Sequence, residues 1–344
     1  MNLIRHDYDA AEATPTPPGL VYVSDSEPGI ARRRHGRGFS YRHPDGSPLD
    51  AAELARVRTL GVPPAYRDVW ICPLANGHLQ ATGRDARGRK QYRYHAAWQA
   101  AQAETRFAQL VGFGESLPMI RRRLRRDLQG DAGDMAFSLA ALVMLIDQTS
   151  LRVGNACYTA QNRTFGASTL LARHLTLEDG VVRLRFRAKG GRRVQHTLRN
   201  RRLARVLHEI GDLPGRNLFT YIDEAGETRA LASQDVNAWL AGVAGPGITA
   251  KTFRTWGGTL AAFEAARQTP ADQKATVKAL TAAAAGRLNN TPAICRKSYI
   301  HPAVMALADM TPAERASLFA RSTPHDVADL RADEARLLAF LKTV

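Results

Sequence analysis

Cysteine is scarce in this sequence of 344 residues. Only Cys72, Cys157 and Cys295 occur, far apart and without the spacing of metal ligands. Their number and spacing exclude a disulfide framework, argue against a structural zinc site and indicate a reducing compartment. Long apolar runs are also lacking: the longest, at residues 135–146, falls short of the ~20 residues that span a bilayer and predicts a buried helix. The N-terminus lacks the apolar core of a secretory signal, so we expect a cytoplasmic protein.

Lysine is nearly as rare, although the chain is strongly basic. Of its 48 basic residues 41 are arginine and seven are lysine, and the formal net charge is +16. The pI of about 10.4 indicates a polyanionic partner. Nucleic acid is the leading candidate, and an anionic membrane surface is the competitor. Because lysine loses its proton more readily than arginine when buried, a lysine inside a motif indicates chemistry of its own.

Turn and strand signals fill the first part of the chain, and helical periodicity fills the rest. Strands are predicted at residues 20–23, 39–42, 69–72 and 78–82, a helix at 51–60 and a hairpin turn at Asn76-Gly77. Helices are predicted at residues 96–111, 116–128, 135–147, 199–210, 233–243, 251–268, 271–287 and parts of 312–341. We therefore predict an α+β protein, with a small β-rich domain at 1–97 and a larger, mainly α-helical domain at 98–344.

One strand-like segment interrupts the predicted helices and gives the larger domain a small antiparallel sheet. From residue 181 to 189, apolar residues alternate with arginines, so one face of the strand is apolar and the other is cationic. Gly190-Gly191 predicts a two-residue turn, and residues 192–198 predict the returning strand. Lys189 is therefore expected at the tip of a basic hairpin. A solvated cationic face is the alternative, and we favour it for Arg183 and Arg185.

Two further motifs place basic residues next to helix ends. Arg152 follows the most apolar helix and enters a turn that contains glycine. Lys251 and Arg254 share one face at the start of a helix that Thr249 is expected to cap. A structural arginine at a helix end and an ordinary amphipathic helix explain these patterns equally well.

The last motif surrounds a tyrosine. Asn290 precedes Thr291-Pro292, which predicts a helix start with proline in its first turn. Tyr299 is expected two turns into that helix, just before His301-Pro302 ends it. A single tyrosine near a helix end is usually a core residue, so Tyr299 by itself indicates no chemistry.

Six residues in chain order resemble the active site of type IB DNA topoisomerases of the compact bacterial and poxvirus-like branch: Arg152, Lys189, Lys251, Arg254, Asn290 and Tyr299. The motifs Leu-Arg-Val-Gly-Asn, Lys-x-x-Arg-Thr-Trp and Asn-Thr-Pro-x-Ile around them match as well. Residues 36–42, 63–70 and 83–94 are similar to that family's N-terminal domain. The resemblance spans residues 20 to 310. We expect a monomer that acts on double-stranded DNA at the nucleoid, and a clamp, because two basic domains joined by a short linker can encircle DNA.

The resemblance also implies a role for each of the six residues. Arg152 and Arg254 would hold the scissile phosphate while Tyr299 attacks it to form a 3′-phosphotyrosyl bond. Lys189 would protonate the leaving 5′-oxygen, with Lys251 assisting, so neither a metal ion nor a nucleotide cofactor is expected. Asn290 would donate a hydrogen bond to the phosphate. Poxvirus-type members carry His at this position, and Asn cannot titrate, so proton transfer by this side chain is excluded.

Two basic segments outside the active site are expected to contact DNA. The resemblance assigns base and phosphate contacts to a run of five consecutive residues: Lys90, Gln91, Tyr92, Arg93 and Tyr94. The alternative is that one of the tyrosines packs a hairpin. The cluster of arginines at residues 121–126 is expected to add phosphate contacts, with a solvated helix face as the alternative.

Two other classes of protein compete with a topoisomerase. A tyrosine recombinase shares the catalytic arrangement, but its second motif has His where this chain has Lys251, and the N-terminal half does not resemble recombinase arms. A DNA-binding protein without enzymatic activity would explain the net charge equally well. It would not explain six ordered catalytic-type residues.

Overall fold

A computed structural model describes residues 16–324 and 326–344 and divides the chain into two compact units, Met1–Arg106 and Phe107–Val344. The first unit contains an antiparallel five-stranded sheet of β1 (Ile30–His35), β2 (Gly38–Arg42), β3 (Arg67–Ile71), β4 (Leu79–Arg84) and β5 (Lys90–Tyr94), in the order β2-β1-β3-β4-β5. The α+β prediction is confirmed. The strands predicted near residues 39–42, 69–72 and 78–82 are confirmed too, as is the hairpin between the last two.

Helix α1 (Ala51–Thr59) packs on one face of this sheet. Asp50 caps its start: the Asp50 carboxylate accepts a hydrogen bond from the Glu53 backbone at 2.7 Å, and the Glu53 carboxylate accepts one from the Asp50 backbone at 3.1 Å. Val57 packs against Ile30 and Ile71, which are fully buried. The sheet is therefore apolar on the α1 face.

The prediction of a strand at residues 20–23 is wrong. Val21 forms only an isolated bridge to Gly77. The backbone N–H of Val23 donates to Nδ1 of His78 at 3.1 Å rather than to a neighbouring strand. The His78 side chain, 55 residues away, thus accepts the backbone hydrogen bond that strand pairing would require.

The second unit is mainly helical, as predicted. Its helices, together with the one that leads into it, are α2 (Ala96–Asp127), α3 (Met135–Thr149), α4 (Ala156–Asn162), α5 (Arg201–Gly211), α6 (Ser233–Ala244), α7 (Ala250–Gln268), α8 (Val277–Leu288), α9 (Pro292–Ser298), α10 (Pro302–Ala306), α11 (Pro312–Arg321) and α12 (Ala332–Thr343). Its two small antiparallel sheets contain β6 (Leu175–Glu178), β7 (Val181–Arg187) and β8 (Arg193–Arg199), and β9 (Thr220–Ile222) with β10 (Thr228–Ala230). In the described part of the chain, no helix is long and apolar enough to cross a membrane.

Three of the predicted helices have clearly different bounds in the structure. The segments predicted at 96–111 and 116–128 form the single helix α2, which continues through Pro118. The buried side chains of Phe113 and Leu117 on this helix offset the ~3 kcal/mol that an interior proline costs. The helix predicted at 271–287 begins only at Val277, because the Arg315 side chain binds the carbonyl oxygens of Thr269, Pro270 and Gln273 and holds them outside a helical ladder.

A buried ion cluster joins three helices of the second unit. The Arg121 guanidinium on α2 donates to Asp147 of α3 at 2.9 Å and to Glu334 of α12 at 2.7 Å. Burial by itself would lower the pKa of Arg121, but the hydrogen bonds and charges of Glu334 and Asp147 raise it. The expectation that this arginine contacts phosphate is therefore wrong. Arg123 and Arg125 also bind carboxylates, those of Asp127 and Asp329.

Replacing Arg121 by methionine should lower the free energy of unfolding by about 3 kcal/mol, because the buried carboxylates of Asp147 and Glu334 lose one of their two arginine partners and keep only Arg331. Arg122→Met is the matched control on the same helix. Its side chain is 59% exposed and lies 3.9 Å from Asp329, so its loss should change stability by less than about 0.5 kcal/mol. Urea unfolding measures both. Equal losses of stability in the two variants would show that the buried ion cluster adds no more to stability than an exposed ion pair.

Candidate active site

The predicted basic hairpin is present, with a slightly longer tip. Strands β7 and β8 pair from Val181 with Arg199 to Arg187 with Arg193. A three-residue turn, Lys189–Gly191, replaces the predicted two-residue turn. Gly190 and Gly191 have φ of +80° and +75°, a region in which side chains with a Cβ are strained. Lys189 is exposed at this tip.

Arg152 leaves α3 through a tightly held loop. Ser150 ends the helix in the left-handed conformation, with its N–H donating to Ile146 at 2.8 Å. The carbonyl of Arg152 then accepts a hydrogen bond from Ala167 at 2.8 Å. A Cβ on Gly166 would lie 2.5 Å from the Cα of Gly154, so this close backbone approach requires glycine. The loop thereby fixes the half-buried Arg152.

Arg254 is buried, with 3% of its surface exposed, and joins the ends of two other helices. Its guanidinium donates to the carbonyl of Ser150, after α3, at 2.5 Å and to the carbonyl of Leu288, the last residue of α8, at 3.2 Å. Both carbonyls belong to helix ends and lack a partner within their helices. Arg254 on α7 therefore links the ends of α3 and α8 through hydrogen bonds and is also a buried cation.

Tyr299 is the residue that follows α9, not a residue inside the helix as predicted. Thr291 caps the start of α9 by accepting from the Ile294 backbone at 3.3 Å. At the other end, the Tyr299 N–H donates to the Cys295 carbonyl at 2.9 Å, and its φ of −137° ends the helix. The Thr259 hydroxyl of α7 lies 3.3 Å from the Tyr299 carbonyl. The tyrosine is therefore anchored by its backbone, and its ring is half-buried.

The structure brings Tyr299 together with Arg152, Arg254 and Lys251. The guanidinium carbon of Arg254 lies 5.1 Å from the centre of the Tyr299 ring. Burial by itself would raise the pKa of the Tyr299 hydroxyl. The charge of Arg254, hydrogen bonding to it, and the charges of Arg152 and Lys251 outweigh burial and lower this pKa below its usual value. The arrangement therefore favours the phenolate, which is the nucleophilic form.

Arg152 is itself in a cationic environment. Burial lowers its pKa, and the charges of Arg254 and of Arg192, in the hairpin, lower it further, while Tyr299 opposes this effect. The hairpin that carries Lys189 is thus close enough for Arg192 to act on Arg152. The guanidinium of Arg152 makes no hydrogen bond or ion pair with a carboxylate within residues 16–324 and 326–344. Such clustered positive charge favours an anion between the arginines.

Two buried hydrogen-bond donors lie in this part of the fold without an acceptor among the described residues. They are Nε of Arg254 and Nδ2 of Asn290. Asn290 is the second residue after α8, and its Oδ1 accepts from the Thr291 backbone at 3.0 Å. Buried donors without a partner are costly, so such donors indicate a ligand with several acceptor oxygens. Within the described residues, no group of three or more His, Cys, Asp or Glu side chains could hold a metal ion.

The five residues predicted to contact DNA lie together on β5, at the edge of the first unit's sheet, but they point to opposite faces. Gln91 binds Asp85 at 3.1 Å and Arg93 binds the Gly61 carbonyl at 3.2 Å, on the α1 side. Lys90, Tyr92 and Tyr94 face the other way. The two tyrosine rings stack with centres 6.0 Å apart, and Lys90 pairs with Asp25.

Sequence reasoning missed the residues that support the site. Ser150 and Leu288 contribute only backbone carbonyls, which carry no sequence signal. Asn289 binds His196 of β8 at 3.1 Å, and the two residues are 93 positions apart in the chain. His196 could have been noticed, since it occupies an inward-facing position of a strand whose other inward residues are apolar.

Comparison with known proteins agrees with this geometry. A family model described as the N-terminal domain of bacterial DNA topoisomerase IB matches residues 38–85. A second, described as the catalytic core of eukaryotic DNA topoisomerase I, matches residues 95–316, which is more than half of the chain. The chain belongs to the type IB DNA topoisomerase family. A relative, DNA topoisomerase 1B of Acanthamoeba polyphaga mimivirus, is 30% identical over 285 residues, covering 79% of this chain and 85% of the relative.

Membership of the type IB family decides between the three functions that the sequence left open. The chain is a DNA topoisomerase and acts on DNA. The recombinase and the DNA-binding protein without enzymatic activity are set aside, because both matched families and the relative are topoisomerases.

The lowered pKa of Tyr299 leads to a pH prediction for this topoisomerase. Lys251→Gln removes one of the charges that stabilise the phenolate, so the pKa of Tyr299 should rise. At any pH below that pKa a smaller fraction of the hydroxyl is then ionised. We expect single-turnover cleavage to be about 10-fold slower at neutral pH, and the rise of the cleavage rate with pH should shift to higher pH. In Lys251→Arg this rise should stay at the parental pH. A loss that is equal at every pH would instead show that Lys251 acts without changing the ionisation of Tyr299.

Proposed function

We propose that this topoisomerase relaxes supercoiled DNA through a covalent bond between Tyr299 and a DNA 3′-phosphate. The Tyr299 oxygen attacks the phosphorus, the bond from phosphorus to the 5′-oxygen breaks, and that oxygen leaves as a hydroxyl. The free end swivels to release superhelical strain. Its return attack on the phosphotyrosine restores the original strand. One phosphodiester replaces another of similar energy, so the cycle needs no nucleotide cofactor.

The observation that carries this proposal is the cationic environment of Tyr299. A phosphodiester is an anion, and its attack by a phenolate builds up further negative charge on the non-bridging oxygens. In the proposed role, Arg152 and Arg254 neutralise that charge, since guanidinium groups bind phosphate oxygens in a two-pronged manner. Asn290 adds its unpartnered amide N–H. The lowered pKa of Tyr299 supports the role of its hydroxyl as nucleophile.

The leaving 5′-oxygen requires a proton, and we assign its delivery to Lys189 with assistance from Lys251. Lys189 is exposed at a turn with two glycines, so it can reach a substrate bound beside Arg152. The ammonium group of a lysine can donate a proton to the leaving oxygen, which is the role of a general acid. With cations and a lysine acid available, the proposed steps require no metal ion.

The decisive experiment traps the covalent complex on a duplex whose cleaved strand has only a few nucleotides beyond the scissile phosphate, so that they dissociate and prevent resealing. The proposal predicts that label on the 5′ side of the break stays with the protein and that label on the released fragment does not. Mass spectrometry of the digested complex should find the nucleotide on the peptide that contains Tyr299. Attachment to another residue, or through a 5′-phosphate, would disprove the assignment. EDTA in the reaction should leave trapping unchanged.

We propose that the face of the first unit's sheet opposite α1 contacts the duplex through Lys90, Tyr92 and Tyr94. Aromatic rings interleaved with cations suit base and phosphate contacts, and Tyr94 is 36% exposed. Gln91 and Arg93 remain predicted contacts, although they point to the α1 side. That the domains predicted at 1–97 and 98–344 close around the duplex as a clamp stays a prediction.

The face proposed for DNA contact can be tested by binding. Tyr94→Ala should raise the Kd for a short duplex about 10-fold without changing its salt dependence. Lys90→Gln should reduce the slope of log Kd against log salt by about one, because one phosphate contact is lost. Leu74→Ala, which truncates an exposed apolar side chain of the same unit, is the control. Unchanged binding by all three variants would remove this face from the interface.

Tyr299, Arg152, Arg254 and Lys251 come together within a single chain, which supports a monomer as the active form. Trapping of the covalent complex should then be first order in enzyme, and its sedimentation should correspond to one chain on one duplex. With DNA as its substrate, the proposed place of action is the nucleoid.

A further inference from the structure

His196 occupies an unusual position in the hairpin that carries Lys189. It pairs with Leu184 across the β7–β8 ladder, and both side chains are on the face that packs inward. Nε2 of His196 lies 3.1 Å from Nδ2 of Asn289, the residue directly before Asn290. A polar ring at an inward position thus joins the hairpin to the end of α8.

The chemistry of this contact fixes its direction. An amide nitrogen can only donate, so Nε2 of His196 accepts, and the ring proton resides on Nδ1. Burial lowers the pKa of His196, and the charge of Arg287 on α8 lowers it further, so the neutral ring that the contact requires is favoured. The Arg287 guanidinium is itself fixed, donating to the Gln148 carbonyl at 3.0 Å.

Asn289 sets the direction in which the chain leaves α8. It has a φ of +48°, and its N–H closes the end of the helix on the Gly286 carbonyl. The next N–H, that of Asn290, donates to the Ala285 carbonyl at 3.1 Å. The Asn290 amide, buried with its Nδ2 unpartnered, therefore depends on how this turn is held.

We propose that His196 is a positioning residue: by binding Asn289 it holds the turn that directs the Asn290 amide at the scissile phosphate. The inference rests on the proposed function, in which Asn290 donates to a non-bridging oxygen. A donor to a transition state acts only in the correct place, and a displacement of about 1 Å at a catalytic group can cost as much as 10²-fold in rate.

Three single variants and one double variant test this role in single-turnover cleavage of a short duplex. His196→Ala should slow cleavage about 10-fold with the Kd for DNA unchanged. His196→Gln should restore most of the rate, because a carboxamide oxygen can accept in place of Nε2. Asn289→Gly should match His196→Ala, since glycine keeps the positive φ while removing the bond. In an Asn290→Ala background, His196→Ala should slow cleavage by less than 2-fold further.

A substrate with sulfur in place of the scissile 5′-oxygen separates this role from one acting through Lys189. A thiolate leaves without a proton, so this substrate should rescue Lys189→Ala but neither His196→Ala nor Asn290→Ala. Rescue of His196→Ala would overturn the inference and assign the residue to the hairpin. The inference would also be overturned if the losses of His196→Ala and Asn290→Ala were additive in the double variant, or if Asn289→Gly cleaved at the parental rate. A parental rate in Asn290→Ala would instead refute the proposed role of Asn290 itself. Thermal unfolding of each variant identifies loss of fold.

Discussion

Tyr299→Phe should abolish plasmid relaxation and covalent trapping, reducing the cleavage rate by at least about 10⁴-fold. The reason is chemical: the ring stays, but the hydroxyl oxygen placed among Arg152, Arg254 and Lys251 is removed. DNA binding should stay within about 2-fold of the parent, since no phosphate contact is assigned to the hydroxyl. Relaxation of supercoiled plasmid in EDTA without ATP measures the activity.

The matched control for this loss is Tyr221→Phe, which removes a hydroxyl from β9 of the same unit. It should relax plasmid at the parental rate. Tyr299→Phe should also remain folded, because the backbone of Tyr299 holds its place through Thr259 and Cys295, and the Arg254 guanidinium can still lie over the phenyl ring. If Tyr299→Phe relaxed DNA as well as the parent, the nucleophile would have to be another residue.

The sequence was most informative where chemistry and local signals coincide. Thr291-Pro292 predicts the start of α9, and the alternation from residue 181 predicts β7, because capping and period two are local properties of the chain. The same holds for the candidate site. Its six residues are recognisable because each lies in a short motif and the motifs follow one another in a fixed order.

Three of the predictions that failed depend on partners distant in the chain. His78 takes the N–H of Val23, so residues 20–23 form no strand. Arg315 takes the carbonyls before Val277, so α8 starts late. Arg121 binds Glu334, 213 residues away, so its guanidinium is engaged inside the fold. Sequence patterns give the kind of group at a position but not the group that it meets.

Replacing Arg152 or Arg254 by glutamine should reduce activity equally but change stability in opposite directions. Both variants should lose about 10³-fold in cleavage, the scale on which an arginine stabilises phosphoryl transfer. Arg254→Gln should also lower the free energy of unfolding by about 2–4 kcal/mol, because the carbonyls of Ser150 and Leu288 lose buried donors. Arg267→Gln, further along α7 and paired with Glu264, should change stability by less than about 1 kcal/mol.

Arg152→Gln should have the opposite effect on stability. The pKa of Arg152 is lowered by burial and by Arg254, so the folded state disfavours its positive charge, and removing that charge relieves repulsion. A gain of about 1 kcal/mol is expected, limited because solvent screens the exposed part of the side chain. Thermal and urea unfolding measure the stability of Arg152→Gln and Arg254→Gln, and single-turnover cleavage measures their activity. If Arg152→Gln destabilised the fold as much as Arg254→Gln, Arg152 would be a structural residue. A stabler, inactive Arg152→Gln would show that clustered cations are retained for the phosphate at a cost to the unliganded fold.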